Sequence, residues 1–143
     1  MFFIFSILTI LNFQSDSLSI DENKFVKIIV QNSQNEIKSG KTTTLSVKFF
    51  PTENVKINSE PEIDFKLDKD SPFKLAVKSI PTIDSLGYLS AGSQIDFVFK
   101  VKPKTGNLNA KLSGDLIYYF CSEKDGWCNR YLQKIEIPIK IIK

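Results

Sequence analysis

The chain has 143 residues, a formal net charge of +3, two cysteines and no histidine. One domain with a real core fits that length; the missing imidazole excludes Ser-His-Asp and Cys-His catalysis and any zinc site with a histidine ligand, and two cysteines cannot fill an all-thiolate zinc shell. Arg130 is the only arginine and the lysine excess is mild and scattered, so a nucleic-acid surface built on guanidinium contacts is not expected.

Met1 to Leu11 reads MFFIFSILTIL, apolar except for Ser6 and Thr9, and polarity rises abruptly from Asn12 onward. About ten apolar residues suit a secretory h-region and fall short of the roughly 18–20 of a spanning helix. Ser15 and Ser17 flank Asp16 as a small-x-small site. The expected organisation is therefore a signal segment over 1–17 and one domain over 18–143. No membrane span remains after cleavage, and the location is periplasmic or secreted.

From about Ile20 the apolar period is two. Phe25–Val30 reads as a first strand, ended by the polar stretch Gln31–Glu36. A turn at Ser39-Gly40 leads into Thr42–Phe50, where Leu45, Val47 and Phe49 alternate with Thr44, Ser46 and Lys48. Val55–Ile57, Ile63–Leu67 and Phe73–Ile80 follow as short strands between turn-rich segments. Ile95, Phe97, Phe99 and Val101 mark a half-buried strand, and Lys111–Phe120 and Tyr131–Ile142 close the chain. In the last, Pro138 sits on the outward row and predicts a sheet edge or a local break. No window carries a helical stripe. The pattern predicts an all-β fold, an immunoglobulin-like antiparallel β-sandwich of seven to nine strands. Most lysines fall on the outward phase and read as a solvated face.

The cysteines lie in Tyr118-Tyr119-Phe120-Cys121-Ser122-Glu123-Lys124-Asp125-Gly126-Trp127-Cys128. Asp125-Gly126 predicts a hairpin with the cysteines flanking its mouth, close enough to bridge. Leu112, Leu116, Tyr118 and Phe120 share one phase and Cys121 falls on the other. Cys128 is even where the following apolar row is odd. Unless Gly114 makes a bulge, both sulfurs point away from the core. Two readings stay open. One is a structural staple on a hairpin. The other is a redox pair ringed by Tyr118, Tyr119, Phe120, Trp127 and Tyr131, with Lys124 and Arg130 favouring a thiolate and Glu123 and Asp125 opposing it.

Leu-Ile-Tyr-Tyr-Phe-Cys, a short loop, Gly-Trp-Cys and a strand ending Ile-Glu-Ile-Pro-Ile together resemble the N-terminal immunoglobulin-like domain of the thiol:disulfide interchange protein DsbD. Upstream, Lys41–Phe50, Pro51 and Val55-Lys56-Ile57-Asn58-Ser59-Glu60-Pro61 are similar to that family's strand, turn and H-I-N-S-x-P stretch, with Lys56 where histidine is common. Asp84-Ser85-Leu86-Gly87-Tyr88 stands at the family's cap loop, and the resemblance spans roughly residues 36 to 142.

The resemblance implies an extracytoplasmic electron relay without cofactor or metal, exchanging electrons with thioredoxin-fold proteins or disulfide isomerases through transient mixed disulfides. It implies that Cys128 forms the mixed disulfide and Cys121 resolves it. Leu86 and Tyr88 would cap the pair; independently of the resemblance, the density of aromatics at the cysteines offers Tyr119, Trp127 and Tyr131 as a docking surface. The chain departs from the family in its six-residue inter-cysteine loop and in lacking a fused membrane or thioredoxin-like domain. The competing expectations are a non-catalytic secreted interaction or adhesion module with a structural disulfide, and a small-molecule or carbohydrate binder using the aromatics.

Overall fold

The computed structural model describes residues 23–143; the expected signal segment and its cleavage site lie outside them. Alternation of apolar and polar residues makes nine strands: β1 (Val26–Asn32), β2 (Glu36–Lys38), β3 (Thr42–Pro51), β4 (Val55–Ile57), β5 (Asp64–Leu67), β6 (Phe73–Lys78), β7 (Gln94–Val101), β8 (Leu108–Ser122) and β9 (Trp127–Ile142). One sheet runs β1-β3-β7-β6 and the other β2-β9-β8-β4, with β5 also paired to β8. β1, β3, β7 and β6 occupy the places of strands A, B, E and D of the immunoglobulin fold, and β4, β8 and β9 those of C, F and G. The fold is the expected sandwich. No helix among the described residues is long and apolar enough to cross a membrane.

The inward rows of both sheets meet in one apolar core. Phe49 of β3 meets Tyr118 of β8 edge-on, with ring centroids 5.3 Å apart. Phe65 of β5 meets Phe99 of β7 at 5.2 Å. Such edge-to-face contacts suit the ring quadrupoles and add to the gain from burial. The Tyr118 hydroxyl donates to Gln133 Oε1 at 2.9 Å and accepts from Asn23 Nδ2 at 2.9 Å. Burial drives the Tyr118 phenol well above its usual pKa, chiefly through desolvation, so it stays a neutral donor. Asn23 also accepts from the Phe25 and Val26 backbone N–H groups through Oδ1, which fixes the entry to β1.

Three sequence expectations change. The polar stretch ending at Glu36 predicts a connector, yet Glu36–Lys38 forms β2 and pairs parallel to Lys140–Ile142 of β9. The chain crosses here from one sheet to the other, and Ile37 is the single residue the short strand buries. The turn expected between Val55–Ile57 and Ile63–Leu67 separates two segments that both pair antiparallel with β8. Gly114 is not a bulge, because the β8–β9 register runs without a shift from Leu108↔Ile141 to Ser122↔Trp127. A Cβ at Gly114 would lie 2.6 Å from Phe65 Cε1 and would also overlap the Lys66 carbonyl oxygen. The glycine admits the neighbouring strand and its phenyl ring.

Pro138 meets its expectation. β2 covers β9 only over Lys140–Ile142, so the missing N–H at Pro138 falls on an open stretch of edge.

Gly114→Ala tests the close approach. Backbone cannot yield as a flexible side chain does, so the substitution is expected to cost about 1–3 kcal/mol. Urea unfolding should show a lowered midpoint at unchanged slope, and a wild-type midpoint would contradict the account.

Candidate functional site

The β8–β9 hairpin closes through a four-residue turn, Glu123–Gly126. Gly126 adopts φ +70°, a left-handed conformation that glycine tolerates best. Its N–H donates to Ser122 O at 2.9 Å, and the Asp125 N–H donates to Ser122 Oγ at 3.2 Å. The strands therefore extend past both cysteines, which lie inside the ladder as the pair Cys121↔Cys128. They form a disulfide, with S–S 2.01 Å and Cα–Cα 4.0 Å.

Parity fixes where the disulfide faces. Tyr118 and Phe120 belong to the core, and Cys121, next along the strand, points outward. The bond thus joins two strands within one sheet on its outer surface, unlike the inter-sheet bond of antibody domains. Its two ends differ. Cys121 is only 7% exposed although it stands outside the core, whereas Cys128 is exposed. Sheet order supplies the reason. β8 is flanked by β4 and β9, with Lys56 directly opposite Cys121. Among the described residues, β9 at Cys128 has β8 on one side and no strand on the other, since β2 reaches only Lys140–Ile142.

The loop after β6 reaches the same surface. Asp84 Oδ1 accepts from the N–H groups of Leu86 (2.9 Å) and Tyr88 (3.0 Å), and Gly87 turns the chain at φ +86°. Leu89 N–H donates to Ile57 O, and Ser59 donates to Gly87 O through both its N–H and its hydroxyl. These bonds fasten the loop to the free side of β4. Tyr88 bridges to Asn58, whose N–H bonds the Tyr119 carbonyl. The Tyr88 hydroxyl donates to Glu123 Oε1 at 3.0 Å. Its side chain therefore runs from the level of Tyr119 to that of Glu123, past the level of Cys121.

No protein-family model matches this chain, and no curated protein matches it.

The expected site residues divide between two faces. Tyr119 is on the disulfide face, where its hydroxyl accepts from Arg130 Nε at 3.2 Å. Tyr88 arrives there from the loop. Leu86 is 73% exposed. Trp127 and Tyr131 lie on the core side of the sheet. Trp127 packs on Phe25 at 4.7 Å and Phe120 at 5.8 Å, and Tyr131 meets Tyr118 at 5.6 Å. The aromatic ring expected around the cysteines is thus reduced to Tyr119 and Tyr88. Trp127 and Tyr131 share the odd-numbered row of Ile135 and Ile137, a parity already present in the sequence.

Lys56, noted in the sequence only as standing where histidine is common, lies opposite Cys121, a placement hidden from the sequence because strand pairing between β4 and β8 is non-local. Around the disulfide the charged groups include Lys56 on β4, Glu123 in the turn and Arg130 on β9. Glu123 is engaged by Tyr88 and Arg130 by Tyr119. The Glu123 carboxylate that accepts its hydrogen bond holds the Tyr88 phenol above its usual pKa, with desolvation adding to the effect. The bond is accordingly intact at neutral pH and is lost as pH rises through the raised phenol pKa. Among the described residues, no group of three or more His, Cys, Asp or Glu is placed to hold a metal ion.

Replacing Tyr88 by Ala removes the side chain that passes Cys121 and frees Glu123. Reduction of the oxidised protein by dithiothreitol, followed by thiol release, should accelerate several-fold, while Leu86→Ala leaves the rate unchanged. Equal rates for all three proteins would refute a shielding role for Tyr88.

Proposed function

We propose that this protein exchanges thiols and disulfides outside the cytoplasm through Cys121 and Cys128, passing electrons to or from thioredoxin-fold partners. The observation that carries the reading is the asymmetry of the disulfide, with Cys128 exposed and Cys121 buried. A partner thiolate attacks Cys128 Sγ in line with the S–S bond, forming a mixed disulfide and releasing Cys121 as the thiolate. Cys121 then attacks Cys128 Sγ and releases the partner thiol, or a second partner thiol completes the reduction with two electrons transferred. In the opposite direction the reduced Cys128 thiolate attacks a partner disulfide and Cys121 resolves the adduct. Neither direction needs an imidazole base, which suits a chain without histidine. The likeness to DsbD N-terminal domains in the cysteine segment supports the same chemistry and the same division of roles.

The stapling contribution is modest beside the packing that sets the same register. The cysteines are already ladder neighbours, and closing so short a loop contributes only about 2–2.5 kcal/mol. The sandwich holds a continuous core that does not include the pair.

The reduction potential decides between exchange and stapling. Equilibration with glutathione should place the pair above about −300 mV, and a lower value marks a bond resistant to cellular thiols. Trapping then assigns the sulfurs. Cys121→Ser incubated with oxidised thioredoxin-fold proteins should accumulate a mixed disulfide at Cys128, and trapping by Cys128→Ser alone would reverse the roles.

Lys56 gives a further check on the leaving group. In a Cys128→Ser background, Lys56→Gln should raise the Cys121 thiol pKa, because a cation beside the sulfur favours the charged form. The pH dependence of thiolate absorbance in the far ultraviolet measures it. An unchanged titration would remove Lys56 from the mechanism.

A further inference from the structure

Seven of the 18 lysines that look scattered along the sequence stand together at one end of the sandwich. Lys38 and Lys41 belong to the β2–β3 turn, which is tied to that end by the bonds Ser39 N–H to Ile142 O and Gly40 N–H to Val101 O. Lys74 and Lys100 are paired across β6 and β7. Lys102 and Lys104 lie in the β7–β8 loop, where Lys102 N–H bonds Pro72 O. Lys143 closes β9 against Asn107. All seven are exposed, and none has an ion-pair partner among the described residues. The nearest carboxylate on β2, Glu36, is taken by Lys140 at 3.9 Å, and Lys69 and Asp70 offset one another in the adjoining β5–β6 turn.

The disulfide lies at the other end of the same hairpin, 13 residue steps up β8 from Leu108, which is about 40 Å at strand rise. There Asp84, Glu123 and Asp125 stand among Lys56, Lys124 and Arg130, with no excess of either sign. The molecule is thus electrostatically polar along its length.

We propose that the lysine end docks on a bilayer surface carrying anionic phospholipid headgroups, so that the sandwich stands on it with the disulfide held away. Anionic leaflets attract clustered lysines through a diffuse field that requires no fixed geometry. The end fits that partner. Its cations are all compact ammonium groups on flexible stems, spread over the tips of both sheets. Leu108, 46% exposed among them, offers an apolar side chain to the interface. A nucleic acid would call for guanidinium forks or stacking aromatics, and the described residues at this end expose neither.

Co-sedimentation with vesicles tests the inference. All variants are measured on the full-length oxidised chain, so that Met1–Leu11 contributes equally, and phosphatidylcholine vesicles report that contribution. Vesicles with about a third phosphatidylglycerol should bind more tightly, and added salt should abolish the difference. Each lysine is worth about five-fold in partitioning, so the triple change Lys100→Gln, Lys102→Gln and Lys104→Gln should weaken binding about 100-fold. Lys124→Gln at the far end should change little. Leu108→Trp should show a blue-shifted emission on anionic vesicles. Equal binding to both vesicle types, or equal loss from the triple and the Lys124 variants, overturns the proposal. So does tighter binding of a single-stranded oligonucleotide than of anionic vesicles at the same salt.

Discussion

The unbroken ladder between β8 and β9 is the constraint on which the rest depends. With no shift from Leu108↔Ile141 to Ser122↔Trp127, one parity holds along the whole hairpin. The same register that sends Leu112, Leu116, Tyr118 and Phe120 into the core against Ile135, Ile137, Ile139 and Ile141 sends both cysteines out. A slip of one residue would invert every side chain, burying charged Glu136 and Lys134 and exposing the isoleucines. The register is pinned at three places. Gly126 and the Ser122–Asp125 bonds set the turn, Gly114 accepts the Phe65 ring, and the disulfide joins residues that are opposite only in this register. Packing and the covalent bond therefore specify the same pairing.

Legibility in the sequence follows from how far each feature depends on neighbours in the chain. The strands were readable because alternation is local; Thr42–Phe50 and Ile95–Val101 carry it plainly. β2 was not, because three residues with one apolar side chain, Ile37, make no period. The joint pairing of β4 and β5 with β8 is non-local and left no trace beyond a turn signal. Gly114 was ambiguous for a related reason. A glycine within a strand marks either a bulge or a close approach, and only the position of Phe65 distinguishes them.

The site shows the same division. The outward direction of Cys121 and Cys128 follows from parity, and parity also assigns Trp127 and Tyr131 to the opposite face. Grouping the aromatics by nearness in sequence obscured that, since adjacent strand residues point to opposite sides. Lys56 opposite Cys121 and Tyr88 on Glu123 come from separate parts of the chain and become visible only once the sheet is assembled. Asp84, Gly87 and Tyr88 then have linked roles. The carboxylate organises the loop, the glycine turns it, and the tyrosine carries it to the hairpin.

Sheet order also accounts for the difference between the two sulfurs. An inner strand exposes its side chains only to the layer above, as β8 does at Cys121. An edge strand leaves one flank open, which is the condition of β9 at Cys128. Had β2 extended further along β9, it would have covered that flank and buried the exposed sulfur as well. The brevity of β2, its polar flanks and Pro138 beyond its pairing together keep the edge free at little cost, since the deeper isoleucine row still closes the core beneath. Access to Cys128 is thus a consequence of where a three-residue strand ends, and protection of Cys121 a consequence of the strands on both sides of β8.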